Sequence, residues 1–164
     1  MPIDPAALDN AGLKNLIENY RRKKLSDETY LTALAEQARR LGNGLNFDTT
    51  IKVVTAAARE GKYISYGQVA QASGANWQQV HYAISRHLGD LIEYCHRNGL
   101  PLLSAIVVNQ HNLKTGEMEL ETLKGFIGGV RAVGVEVGDE QHFLRQEQDR
   151  VFAWAKSSHS YQAR

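Results

Sequence analysis

The first 44 residues carry apolar side chains at the spacing expected of helices. Four of them fall on one face of a first predicted helix: Leu13, Leu16, Ile17 and Tyr20. Ser26, followed by two acidic residues, is predicted to cap a second helix that runs to Arg40 and is stopped by Gly42-Asn43-Gly44. Residues 1–44 are therefore predicted to form a helical hairpin that extends a core domain of residues 45–164.

Two capping patterns lie close together after Gly61. In each of them a short polar side chain is followed three residues later by Gln: Ser65-x-x-Gln68 and Asn76-x-x-Gln79. They predict a short helix from Tyr66 to Ser73, a turn at Gly74-Ala75, and a longer helix from Trp77 to about His87. Five apolar residues are predicted to fill the angle between these helices: Val69, Ala70, Val80, Ala83 and Ile84. Two helices joined by a short Gly-containing turn are typical of a helix-turn-helix.

The other predicted elements complete a helix-rich α+β chain. In order, they are a helix from Asp48 to before Gly61 that buries Ile51, Val54 and Ala58, a helix that closes at Asn98-Gly99, a buried strand at Leu102–Asn109, a turn at Asn112–Gly116 and a helix from Glu140 to Lys156. Residues 117–138 are ambiguous, and their valines suggest a short strand or wing. The predicted fold is a winged helix-turn-helix core with an N-terminal helical extension and a closing C-terminal helix.

The amino-acid composition and net charge of the chain exclude some classes of function. The chain has 164 residues, of which 43% are hydrophobic and 23% charged, so it can bury a core. Its net charge of +1 argues against a histone-like binder held by bulk charge, and Arg21–Lys24 and Arg39-Arg40 are interpreted as solvated helix ends. No apolar run approaches the ~20 residues of a membrane span. One cysteine and the lack of a signal-like amino terminus lead us to expect a cytoplasmic protein that does not bind membranes.

One motif resembles the helix-turn-helix opening of alkylguanine DNA alkyltransferases and alkyltransferase-like proteins: Gly61-x-x-x-Ser65-Tyr66-Gly67-x-Val69-Ala70-x-x-x-Gly74. The segment from Gln79 to His87 is similar to the recognition helix of that family. The resemblance covers residues 61–110. It implies a scaffold that binds double-stranded DNA.

The same comparison shows departures in the reactive segment. In the family, the alkyl-accepting cysteine lies in a Pro-Cys-His-Arg-Val motif. Cys95-His96-Arg97 lies inside a predicted helix and lacks the preceding proline, so we interpret Cys95 as a buried apolar residue. Alignment by the predicted strand places Ser104 at the acceptor position, and the neighbouring histidine is replaced by Ala105. Because a serine hydroxyl is a weak nucleophile without an adjacent base, alkyl transfer is not expected. The family's arginine before the recognition helix has no counterpart at Trp77 or Gln78, which argues against base flipping.

The predicted DNA contacts lie on the second helix and at the entrance of the first. The candidate groove contacts are Gln78, Gln79, His81, Tyr82, Ser85 and Arg86. On one continuous helix, Gln78, Tyr82 and Ser85 would form one polar stripe, with Gln79 and Arg86 near another. Gln can pair with adenine and Arg with guanine or phosphate. Lys62 and Tyr66 are predicted to hold the DNA backbone.

Other functions remain open at this point. In a protein-interaction module of a mobile-element or defence system, three aromatic residues would contact a partner: Trp77, Tyr82 and Trp154. A less favoured hypothesis is a metal-dependent nuclease, with three carboxylates and a lysine: Glu117, Glu119, Glu121 and Lys124. Their alternation with apolar residues is more typical of an exposed strand. His81 and His87 are six residues apart and do not form the i, i+4 pair of a zinc helix, so no metal or cofactor is predicted.

Overall fold

The computed structural model describes residues 3–41 and 44–157 and shows a helix-rich α+β chain. Helices α1 (Asn10–Lys23) and α2 (Glu28–Leu41) confirm the two predicted N-terminal helices. They pack around their own apolar cluster: Leu13, Ile17, Tyr30, Ala33 and Leu34. The cap of α2 lies one residue later than predicted, because Asp27 rather than Ser26 accepts the Tyr30 backbone N–H, at 3.0 Å. Gly42 and Asn43 lie outside the described residues.

The second apolar cluster begins at Leu45 and includes the remaining helices. The elements that follow α2 are α3 (Phe47–Arg59), β1 (Ile64–Ser65), α4 (Tyr66–Ala72), α5 (Trp77–Val80), α6 (Ile84–Arg97), β2 (Val107–Val108), α7 (Leu120–Ala132) and α8 (Glu140–Ser157). Short 3₁₀ segments occupy Pro5–Ala7, Leu103–Ile106 and Gln110–Asn112. Strands β1 and β2 form a parallel pair in which Ile64 lies opposite Val107. The predicted stripe of α3 is confirmed, since Ile51, Val54 and Ala58 are buried.

The prediction of one long helix from Trp77 to about His87 is wrong. Helix α5 ends at Val80, residues 81–83 form a turn, and α6 begins at Ile84. The two pieces pack against different partners, since α5 contacts α4 whereas α6 contacts α2, α7 and the 3₁₀ segment at Leu103–Ile106. The five apolar residues predicted to fill the angle between the helices are nevertheless buried: Val69, Ala70, Val80, Ala83 and Ile84.

The strand or wing suggested for residues 117–138 is also wrong, because α7 occupies most of this segment. Its buried residues follow helical spacing: Leu123, Phe126, Ile127 and Val130. The buried strand predicted at Leu102–Asn109 shrinks to β2, and Leu103–Ile106 turn as a 3₁₀ helix. The C-terminal helix is confirmed as α8. Within residues 3–41 and 44–157, no helix combines the length and the apolar character needed to cross a bilayer.

A buried polar cluster joins the N-terminal pair to the core. Glu93 of α6 accepts hydrogen bonds from Arg21 Nε at 3.1 Å and Nη2 at 2.5 Å, and from the Tyr30 hydroxyl. Burial by itself would raise the pKa of Glu93, but these donors outweigh it and hold the pKa below its ordinary value. The predicted extension is thus attached to α6 by a specific ion pair, and Ala35 of α2 packs against the apolar core.

Candidate functional site

A cavity of about 420 Å³ lies between the α4–α5 pair, α6 and α7. Its polar and aromatic lining comes from elements that are distant in the chain: Tyr66, Trp77, His81, Ser85, Ser104, Glu121, Thr122 and Phe126. Three of these residues, Tyr66, His81 and Ser85, were predicted DNA contacts, and Ser104 was the residue at the acceptor position. The fold therefore gathers residues that the sequence singled out for separate reasons.

Local capping fixes the entrance of this cavity. Ser65 Oγ accepts the Gln68 backbone N–H at 3.1 Å, and Gln68 Oε1 accepts the Ser65 N–H at 2.9 Å, so the predicted capping box is confirmed. It starts α4 at Tyr66, whose pKa is raised by burial, while an interaction with Thr122 acts in the opposite direction. Asn76 caps α5 by accepting the Gln78 N–H at 2.9 Å. The turn between the two caps holds Tyr66 and Trp77 on the same cavity.

Ser104 lies on the floor of the cavity and is only 4% exposed. Its Oγ is buried and has no hydrogen-bond partner among the described residues. No general base is therefore hydrogen-bonded to this hydroxyl, and it lacks the activation that a nucleophilic serine requires. The 3₁₀ segment that carries Ser104 is fixed by Gln148, whose Nε2 donates to the Ala105 carbonyl at 2.9 Å.

Cys95 is buried in α6, as predicted. Burial raises the pKa of its thiol to about 12, while a backbone hydrogen bond with Leu103 acts in the opposite direction. At neutral pH the group is therefore a protonated, buried thiol. Because only a thiolate is a good nucleophile, Cys95 is not expected to react. Cys95 does not line the cavity.

The predicted DNA contacts do not all share one surface. The side chains of Gln78, His81, Tyr82, Ser85 and Arg86 are exposed, and the Tyr82 ring meets the edge of His81 at 6.2 Å. The two predicted stripes are not continuous, because the helix that would carry them breaks at residues 81–83. Lys62 lies outside the cavity and pairs with Glu60 at 3.6 Å, and Arg86 faces a second cavity. The side chain of Gln79 lies outside the described part of the structure.

Sequence reasoning missed the wall that α7 contributes. Four of its cavity-lining residues were assigned to an exposed or ambiguous strand: Glu121, Thr122, Gly125 and Phe126. The signal that could have found them is the helical spacing of the buried residues from Leu123 to Val130. Trp154, expected to be exposed, is only partly exposed and packs against the core.

The described residues contain no cluster of carboxylates of the kind that the nuclease hypothesis requires. Among residues 3–41 and 44–157, no three His, Cys, Asp or Glu side chains come together to hold a metal ion. Glu119 instead pairs with His111, and Glu121 lines the cavity. The alternation of Glu117 to Glu121 with apolar residues reflects a coil that leads into α7 rather than a strand.

No protein-family model, curated protein or solved structure matches this chain. The resemblance to alkyltransferase-like proteins therefore remains a prediction that rests on residues 61–110.

Proposed function

We propose that the chain is a non-catalytic DNA-binding protein, in which α4 and α5 act as a helix-turn-helix and the adjacent cavity receives one base. Because no arginine is available to extrude a paired base, this base is one that is already mismatched or unpaired. The observation that carries this proposal is the meeting of Tyr66, His81 and Ser85 with Ser104 around one cavity. Tyr66, Trp77 and Phe126 offer aromatic surfaces on which a flat base can stack. The volume of about 420 Å³ lies within the range of ligand-binding sites.

The surface outside the cavity fits contact with a duplex. Gln78, Tyr82 and Arg86 are exposed around α5 and the start of α6, where they can reach bases or phosphates. Because α5 has only four residues, base contacts would come from this turn and the first turn of α6 together. The unactivated Ser104 hydroxyl and the buried Cys95 thiol both argue for binding without alkyl transfer.

The first test is binding of a labelled duplex as a function of salt, starting at about 50 mM. Arg86→Ala should weaken binding to every sequence and lower the salt slope by roughly one unit, because one phosphate contact is lost. Gln78→Ala should weaken binding selectively, by about 1–3 kcal/mol at the preferred site. Arg59→Ala is the matched control, since Arg59 is exposed at the end of α3 and lines neither cavity. Folded wild-type protein that does not bind at low salt would overturn the proposal.

The second test asks whether a base enters the cavity. Gly125 lines the cavity, Gly128 does not, and both glycines have open space where a Cβ would be. Gly125→Leu should therefore fill the cavity, whereas Gly128→Leu changes the same helix outside it. With a duplex that carries mismatched 2-aminopurine, binding of wild type and Gly128→Leu should change the fluorescence of this base as it leaves the duplex stack, and binding of Gly125→Leu should not. The same change with both variants would show that no base enters.

A protein-interaction module is the second candidate, favoured by exposed apolar side chains near the cavity. Trp77 is 39% exposed, Tyr82 65% and Leu120 66%. Aromatic residues of this kind are enriched at the centres of protein interfaces. Binding of duplex DNA with a steep salt dependence would favour the first candidate, since a protein interface has no counterions to release.

A further inference from the structure

A second cavity, of about 540 Å³, lies beside α6 and is lined by charged side chains. Four of these residues recur along α6 at i, i+4, i+7 and i+11 and so follow one side of the helix: Arg86, Asp90, Glu93 and Arg97. Arg21 of α1 completes the charged lining, and the end of α7 adds only Gly129, Ala132 and Val133. We call this cavity the arginine groove.

Three charged groups of the arginine groove make no direct ion pair or hydrogen bond among the described residues. Arg21 and Glu93 are paired with each other, which leaves two arginines and one carboxylate. The Nε of Arg97 is buried without a hydrogen-bond partner among the described residues, and Arg86 has no ion pair there. Asp90 is only 8% exposed, and its buried Oδ2 likewise lacks a partner in the described part of the chain. Arg86 and Arg21 stabilise the charge of Asp90 from a distance, but a buried carboxylate without a hydrogen-bond donor is costly, so the groove offers a place for a donor supplied from outside.

The chemistry of these three groups restricts the ligand. Burial raises the pKa of Asp90 to about 6, while Arg86 and Arg21 oppose the shift and Glu93 adds to it, so Asp90 is mostly ionised at pH 7.5. A matching ligand must present acceptor oxygens to the arginines and an O–H donor to the carboxylate. A phosphate group with one proton has both. Inorganic phosphate carries such a proton at pH 7.5, and a phosphomonoester, whose second pKa is about 6, takes one up when it binds. Sulfate and carboxylate ions carry no proton at this pH and take none up near it.

We propose that the arginine groove binds the singly protonated phosphate group of a phosphomonoester or of inorganic phosphate. Arg86 and Arg97 donate to its oxygens, and Asp90 accepts the P–OH hydrogen. The cavity is larger than one phosphate, which leaves room for the organic part of an ester. This inference goes beyond DNA binding, because an internal phosphodiester cannot take up such a proton near neutral pH, whereas a terminal 5′-phosphate can.

The first experiment is isothermal titration of the full chain with inorganic phosphate, glycerol phosphate and sulfate, at pH 7.5 and equal ionic strength. We expect saturable binding of both phosphates and at least about tenfold weaker binding of sulfate, the loss expected for one charge-assisted hydrogen bond. Arg97→Gln should weaken phosphate binding by a similar factor. Arg59→Gln, outside the groove, should not change it. Equal affinity for phosphate and sulfate, or no saturable binding of phosphate, would overturn the proposal.

Asp90→Asn tests the role of the carboxylate with little change in shape. An amide can donate to an oxyanion, so this variant should bind sulfate about as well as phosphate. Circular dichroism and the melting temperature will show that the variant is folded. A folded Asp90→Asn protein that still prefers phosphate tenfold would refute the assignment of Asp90 as the acceptor.

The source of the phosphate is decided by two DNA hairpins that differ only in a 5′-phosphate or a 5′-hydroxyl. Tighter binding of the phosphorylated hairpin, abolished by Arg97→Gln, would identify a DNA end as the ligand. Equal binding of both hairpins, together with saturable binding of glycerol phosphate, would identify a free phosphomonoester. Because the titrations with inorganic phosphate contain no DNA, failure of the proposed DNA binding would leave their result intact.

Discussion

Removing the Tyr30 hydroxyl tests how the N-terminal helices are attached to the core. Tyr30 is fully buried, and its hydroxyl donates to Glu93 of α6, which also accepts two hydrogen bonds from Arg21. Tyr30→Phe deletes this one donor and preserves the ring, which stacks on Tyr20 with centroids 5.1 Å apart. Burial and the neighbouring Glu93 carboxylate raise the pKa of Tyr30 to about 12, so the hydroxyl is a donor at all working pH values.

The expected loss follows from the surroundings of the bond. A hydrogen bond to a charged group contributes about 1.5–3 kcal/mol. Because Arg21 still neutralises Glu93 in the variant, we expect the lower part of that range, about 1.5–2 kcal/mol. For a chain of this size, this corresponds to a melting temperature lower by about 3–8 °C. The folded pKa of Glu93 is lowered, so the effect of the variant should shrink as the pH falls below 4.5 and through that folded pKa.

Tyr20→Phe is a matched control for the measurement. It removes the same group from the other ring of the stacked pair, where the hydroxyl donates to exposed Asp27 at 2.9 Å. Urea unfolding monitored by circular dichroism should show a change within about 0.5 kcal/mol for this variant. Equal effects of Tyr20→Phe and Tyr30→Phe would refute the view that the buried cluster anchors the helices.

Three further predictions concern single positions. Asp90→Asn should stabilise the fold by roughly 1–3 kcal/mol at pH 7.5, measured by urea unfolding. Burial raises the pKa of Asp90 from 3.8 to about 6 in the folded state, so ionisation of this carboxyl destabilises the fold only above pH 3.8, and the gain should vanish near pH 4. Gly116→Ala should destabilise the fold by about 2–5 kcal/mol, because its φ is +72° and a Cβ would lie 2.1 Å from the Tyr63 ring. The control is Gly134→Ala, in open space at φ +92°, which should cost only about 1–2 kcal/mol. Similar losses of stability for the two variants would contradict this reasoning. Cys95 should react with a thiol reagent at pH 8 only after unfolding, and its alkylation by alkylguanine DNA, detected by intact mass, would sink the non-catalytic proposal.

The sequence by itself determined the features whose partners are close in the chain. The Ser65–Gln68 capping box could be predicted because both of its hydrogen bonds join residues three positions apart. The apolar stripe of α3 follows from the period of the helix, and Cys95 could be expected to be buried as a small apolar residue. Helical spacing and caps depend on local geometry, although the burial of a stripe also needs a partner to pack against.

The break in the helix after Val80 and the helical state of α7 were decided by packing. The helices on the two sides of residues 81–83 pack against different elements, and no period along the chain reveals this difference. In α7, Gly129 lets Ile92 of α6 approach within 2.8 Å of where a Cβ would lie. A pair of glycines in the sequence favours a turn or wing, whereas in the fold it allows two helices to pack closely.

The two cavities belong wholly to the tertiary structure. Arg21 and Glu93 are 72 positions apart, yet their pairing leaves Arg86, Asp90 and Arg97 of the arginine groove without a direct ion pair among the described residues. The sequence supplied Ser104 and Tyr66 as candidates, but their shared cavity depends on β1 lying beside β2 and on α7 closing the far side. The candidate residues could therefore be identified from the sequence. Their mutual distances, which decide charge pairing and ligand binding, arise only when distant segments pack together.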